Sequence, residues 1–162
     1  KARGGTLSLD PNLRKELKYD SQTETRFATL VAHSDLLLPS GEELELAAGV
    51  EGKEPAIEKL FELGVSEIAL KEGDAGATTY CADGSKFQTS AFVVEELDPT
   101  GAGDCFGGAY VACRRLGVDI DTALTYGCAA GARNVTYRGP MEGAGTRAEL
   151  DQFIKETERR SK

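Results

Sequence analysis

The chain has 162 residues, 40% hydrophobic and 28% charged, which suits one compact domain with a real core, is too short for two ordinary domains, and excludes a disordered chain. Its net charge of −8 excludes a nucleic-acid surface, because phosphate backbones require Lys and Arg gathered on one face. No apolar run approaches the roughly 18 residues of a membrane span and the basic, polar start is unlike a signal peptide, so no membrane partner and a cytoplasmic location are expected.

In chain order, Thr6 to Asp10 alternates as a β-strand does and is closed by Pro11-Asn12, so Asp10, Asn12 and Arg14 fall at a strand end. Glu24 to His33 reads as a helix, Asp35 to Pro39 as a short apolar strand, and Ser40-Gly41-Glu42-Glu43 as a helix start with Ser40 and Glu43 spaced as a capping box. Pro55 to Leu63 has helical apolar spacing ended by Gly64, and Glu67 to Lys71 follows as a strand. Gly73, Gly76 and Gly84 then punctuate β pieces at Ala77 to Cys81 and Lys86 to Val94, a hairpin pattern. The last third is helical: Gly103 to Leu116, Asp121 to about Arg138, and a final helix from Arg147 with Thr146 and Glu149 as its capping box.

Strand and helix alternate through the first 70 residues, which implies parallel pairing in an α/β sheet covered by helices. Ligands bind such sheets at the C-terminal ends of strands. Asp10 to Arg14, Ser40 to Glu43 and Lys71 to Gly76 each follow a strand directly, so all three are expected on one sheet edge.

Cys81, Cys105, Cys113 and Cys128 form no C-x-x-C pair, and His33 is the only histidine. A zinc site lacks ligands, and a Ser-His-Asp or Cys-His enzyme would have to use an isolated histidine. Free buried thiols and a solvent-facing His33 are expected. A Rossmann dehydrogenase would need G-x-G-x-x-G after an early strand with an acid some way on; the sequence has no such arrangement.

The densest signal is Asp98-Pro99-Thr100-Gly101-Ala102-Gly103-Asp104-Cys105-Phe106-Gly107-Gly108-Ala109. Small residues before an amphipathic helix let an anion approach, and the unpaired N–H groups of the first turn point at it, a phosphate cradle that needs no positive charge. Asp104 beside that cradle could take the proton of an attacking alcohol. Taken alone, so short a glycine motif is equally a turn whose acid suits the helix dipole.

Residues 98–104 resemble the D-T-x-G-A-G-D signature of the PfkB (ribokinase-like) carbohydrate kinases, and the similarity spans nearly the whole chain. It is nearest the branch of 2-keto-3-deoxygluconate kinases and fructokinases, whose D-P-N-x-R strand end is matched by Asp10-Pro11-Asn12-Leu13-Arg14. The resemblance implies a three-layer α/β/α ribokinase-like (Rossmann-like) fold, here its C-terminal nucleotide-binding half with a mostly parallel sheet and a hairpin segment. It implies ATP and a small sugar as partners and Mg²⁺ as cofactor.

By the same resemblance Gly101, Ala102 and Gly103 form the anion hole and Asp104 is the catalytic base. Asn12 and Arg14 face nucleotide phosphate and sugar. Ser40 stands where relatives carry Asn, and Glu43 organises Mg²⁺ through water. Lys71, Gly73 and Gly76 match the K-x-G-x-x-G segment beside the nucleotide. Cys128, in Tyr126-Gly127-Cys128-Ala129-Ala130-Gly131, lies near adenine, although close helix packing explains those small residues nearly as well. Asp98 and Thr100, with carbonyls from about Asn134 to Gly139, match a monovalent-cation loop, so K⁺ joins the implied cofactors.

The family's sugar-specific sheet region and lid have no counterpart here, and Thr6 to Asp10 reads as an interior strand. The chain is therefore expected to be the C-terminal portion of a longer protein, exposing an apolar sheet edge and inactive alone, with the missing N-terminal half, or a second copy of itself, as partner. The competing expectation is a catalytically silent kinase-like scaffold or binding module.

Overall fold

The computed structural model describes residues 1–13 and 20–161. Arg14 lies outside the described residues. Composition points to one folding unit, whereas the chain divides into two compact units, Lys1–Lys71 with Thr79–Lys86, and Glu72–Thr78 with Phe87–Lys162.

In the first unit, β1 (Ser8–Leu9), β2 (Leu36–Leu37) and β3 (Glu67–Lys71) run parallel, with Leu9 opposite Leu37 and Leu37 opposite Ile68. The helix α1 (Ser21–His33) joins β1 to β2, and Asp20 caps it by accepting the Thr23 amide at 2.7 Å. Two helices, α2 (Glu43–Ala48) and α3 (Lys53–Glu62), lead from β2 to β3. The core is Val31, Leu37, Leu44, Ala56, Ile57, Leu60, Val65, Ile68 and Leu70. Ile68, Ala69 and Leu70 are all buried, the continuous burial of a strand enclosed on both faces.

The strands β4 (Ala77–Cys81) and β5 (Lys86–Thr89) complete a sheet in the order β1-β2-β3-β4-β5. Their turn is closed by Asp83, whose carboxylate accepts the Ser85 amide and hydroxyl, and by Gly84 at φ 85°. Thr6 to Asp10, read as an interior strand of a longer protein, ends the order within this chain. Only Ser8 and Leu9 pair, because Pro11 has no N–H to continue the ladder. Leu9 on that terminal strand is half-buried, while among the described residues the most exposed large apolar side chains lie on helices and loops, Leu97 and Leu116 foremost.

The second unit is built on α4 (Ala102–Arg115), α5 (Ile120–Asn134) and α6 (Arg147–Glu156). Gly127 and Gly131 let α4 and α5 touch: a Cβ at 127 would lie 2.8 Å from the Phe106 ring, and one at 131 would lie 3.1 Å from the Ala102 carbonyl oxygen. α6 opens with the expected capping box of Thr146 and Glu149. α5 stops four residues before the expected Arg138, and β5 ends at Thr89 rather than Val94. Beyond β5, Phe92 pairs instead with Arg159 near the C-terminus.

Candidate active site

Parallel topology gathers the first group of polar residues. Lys71 at the end of β3 bridges to Ser40 after β2, and its Nζ pairs with Asp10 Oδ2, at the end of β1, at 2.5 Å. Lys71, expected beside the nucleotide, is thus already engaged by a carboxylate. Asn12 is exposed and sits at φ 44°, a left-handed conformation that Asn tolerates, while its amide donates to Asp10 Oδ1 at 3.3 Å.

Glu43 Oε2 accepts both the amide and the hydroxyl of Ser40, at 2.7 and 2.6 Å. This is half of the expected capping box, since the Ser40 hydroxyl donates to Glu43 instead of accepting from the helix. Among the described residues no group of three His, Cys, Asp or Glu could hold a metal ion. A single carboxylate such as Glu43 nevertheless suits Mg²⁺, which keeps its waters and binds through one or two carboxylates and substrate phosphates.

The second unit holds the glycine-rich segments. Gly73 to Ala75 form one 3₁₀ turn closed by the Gly76 amide on the Gly73 carbonyl. At Gly76, φ 104°, a Cβ would lie 2.0 Å from the Thr89 carbonyl oxygen, so only glycine fits. Gly101 caps α4 in the left-handed conformation, φ 77° and ψ 0°. Among the described residues none accepts a hydrogen bond from the amides of Gly101, Gly103 or Asp104. The Ala102 amide, expected in the anion hole, is turned back onto the Pro99 carbonyl at 3.2 Å. The open donors are therefore Gly101, Gly103 and Asp104, at the positive end of a 14-residue helix.

Asp104 is exposed in the first turn of α4. It stands at the rim of a cavity of about 360 Å³ that continues along α4 past Cys105, Gly108, Ala109 and Ala112 to Met141. Cys128, expected near adenine, is buried. Burial pushes its thiol up to about 12, opposed by the charge of Arg159, so it offers a nucleotide little surface.

The loop before α4 is tied to the loop after α5. Asp98 accepts the Thr100 amide on one oxygen at 3.0 Å and the Gly139 amide on the other at 2.9 Å. Hydrogen bonds from Thr100, hydroxyl first and amide second, and from Gly139 hold its carboxyl below the usual carboxylate range. The carboxamide of fully buried Asn134 donates to the Thr100 carbonyl at 2.9 Å and the Pro140 carbonyl at 3.2 Å, and its oxygen accepts the Gly143 amide at 3.1 Å. Sequence reasoning counted Asn134 only as a carbonyl; the lone signal for its side chain was a polar residue at the end of an otherwise apolar helix face.

Where a monovalent cation was expected, both Asp98 carboxylate oxygens and the Thr100 carbonyl oxygen already accept internal hydrogen bonds. Among the described residues no buried side-chain oxygen or nitrogen lacks a partner.

Residues 1–147 match the model of the pfkB family carbohydrate kinases. The chain belongs to that family. It is 34% identical over 150 residues to a 2-dehydro-3-deoxygluconokinase of Thermoproteus tenax, an alignment covering 91% of this chain and 46% of that protein. It superposes with a TM-score of 0.90 and 44% identity on an Escherichia coli protein described as a ribokinase II in complex with ATP and Mg²⁺, over 95% of this chain and 50% of that one. A double-mutant Vibrio cholerae fructokinase bound to fructose, ADP and potassium gives 0.80 and 28%, over 93% and 51%. This pfkB-family chain therefore has a ribokinase-like α/β fold and spans about half the length of the relatives it matches. Among its described residues no helix is long and apolar enough to cross a membrane.

Proposed function

We propose that this chain is the C-terminal, phosphoryl-handling part of an ATP-dependent sugar kinase acting on a 2-keto-3-deoxygluconate- or ketohexose-type alcohol. The observation that carries the reading is the start of α4: three unengaged amides at a helix N-terminus with an exposed carboxylate in the same turn. In the proposed reaction Asp104 accepts the proton of the sugar hydroxyl as its oxygen attacks the γ-phosphorus in line. The bond from that phosphorus to the β–γ bridging oxygen breaks and ADP leaves. The amides of Gly101, Gly103 and Asp104 hold the charge on the transferring oxygens, so positioning and electrostatics dominate. Mg²⁺, organised through water by Glu43, would neutralise phosphate charge.

The fructokinase and 2-dehydro-3-deoxygluconokinase relatives support the substrate class, and ATP with Mg²⁺ in the E. coli protein supports the donor. Roles in nucleotide contact for Asn12, Arg14, Ser40, Lys71, Gly73, Gly76 and Cys128 rest on the family resemblance. The half-length coverage supports an N-terminal, sugar-specific half as partner, and a cytoplasmic setting is part of the same proposal.

Calorimetric titration of the chain with ATP and Mg²⁺, with NAD as control, tests the donor assignment; NAD binding without ATP binding would reject it. In the complete kinase, Asp104→Asn should lower kcat at least ~100-fold with ATP affinity kept. Near-normal turnover would remove Asp104 from its role.

A further inference from the structure

Asn134 ends α5, is fully buried, and uses its whole carboxamide on two loops. Its nitrogen is the point on which the Thr100 and Pro140 carbonyls converge, at 2.9 and 3.2 Å. Two carbonyl dipoles aimed at one spot repel each other unless something positive lies between them. A metal cation serves that purpose in many proteins; here the partly positive amide nitrogen does.

The same two carbonyls flank Gly101. Thr100 supplies the peptide immediately before it, and the Pro140 oxygen lies so close that a Cβ at 101 would come within 1.8 Å. The carbonyl and N–H of one peptide point opposite ways, so holding the Thr100 carbonyl inward keeps the Gly101 amide turned outward. On the far side the Asn134 oxygen accepts the Gly143 amide. Gly143 has no room for a side chain, since a Cβ there would lie 2.4 Å from the Asn134 Cα. Asp98 closes the other end of the loop pair through the Thr100 and Gly139 amides.

We propose that the Asn134 carboxamide is a built-in substitute for a monovalent cation, a positioning residue that orders the 98–101 and 139–143 loops without K⁺. This deepens the anion-cradle reading, on which its catalytic meaning rests, but the ordering itself is measurable without phosphoryl transfer.

The test is thermal unfolding of the chain in KCl and in tetramethylammonium chloride at equal ionic strength. An ion bound only by the folded state raises the melting temperature with its concentration. The wild-type chain is expected to melt alike in both salts, and a rise that follows K⁺ concentration would overturn the proposal. Asn134→Asp replaces the donor with a carboxylate facing the two carbonyls, an arrangement that only a cation relieves, so this variant should melt lower in tetramethylammonium and recover in KCl. Equal melting of the variant in both salts would also count against the proposal. If the variant does not fold, the wild-type comparison decides, together with Tl⁺-soaked crystals, where an anomalous peak against the Thr100 carbonyl would refute it. ATP titration in the two salts separates the readings: lost ATP binding with unchanged salt behaviour rejects the kinase assignment alone.

Discussion

Gly101→Ala is the sharpest perturbation of the proposed cradle. An alanine there must hold φ 77°, which costs about 1–2 kcal/mol for an L-residue. Its Cβ would also meet the Pro140 carbonyl oxygen at 1.8 Å, roughly 1.5 Å short of an ordinary C···O approach. The obstacle is backbone, so no rotamer relieves it; the Pro140 carbonyl must retreat and loosen its bond to Asn134, worth about 1 kcal/mol. Together these make about 2–3 kcal/mol, which in a domain of this size lowers the melting temperature by roughly 4–12 °C. Gly108→Ala is the control: its φ is not left-handed, a Cβ meets nothing within 4 Å, and alanine in mid-helix gains about 0.5–1 kcal/mol over glycine. Calorimetric melting of both variants, followed by ATP–Mg²⁺ titration, should show Gly101→Ala destabilised with weakened binding and Gly108→Ala unharmed. If Gly101→Ala melts within a degree or two of the parent and binds ATP equally, the loop pair does not hold the cradle.

Asp98 has a folded-state pKa below its unfolded value, so its contribution is present above about pH 4 and lost as pH falls through the folded pKa. The melting gap between wild type and Asp98→Asn should be full at pH 6 and close below about pH 4; a gap that persists unchanged at pH 3 contradicts this. Burial keeps the Cys128 thiol protonated at pH 8, so Ellman's reagent should label it only as fast as the chain unfolds, and rapid labelling mapped to Cys128 in native protein would show the site open. Thr146→Ala removes the capping box of α6 and should cost about 1 kcal/mol by urea unfolding, whereas an unchanged midpoint would mean that the cap is redundant.

The parts legible in sequence were those with local causes. β3 and β4 match the expected Glu67–Lys71 and Ala77–Cys81 because apolar β-formers there are bounded by glycines that must turn, Gly64 at φ 101° and Gly76 at φ 104°. α6 begins where Thr146 and Glu149 cap it. The misplaced boundaries have distant causes. β5 stops early because the next pairing partner, Arg159, lies near the other end of the chain. α5 stops at Asn134 because its side chain and Asp98 recruit the following residues into a loop around Gly101. The candidate site divides in the same way. Gly101 and Asp104 were visible as a motif, since small residues and an acid at a helix start have a local meaning. The Lys71 pairing with Asp10 spans 61 positions and has no local signature. Asn134 looks like any polar helix end until Thr100, 34 positions earlier, is seen against it. A glycine motif thus states where amides can be bare, while the residue that turns them outward is found only once the fold has brought it there.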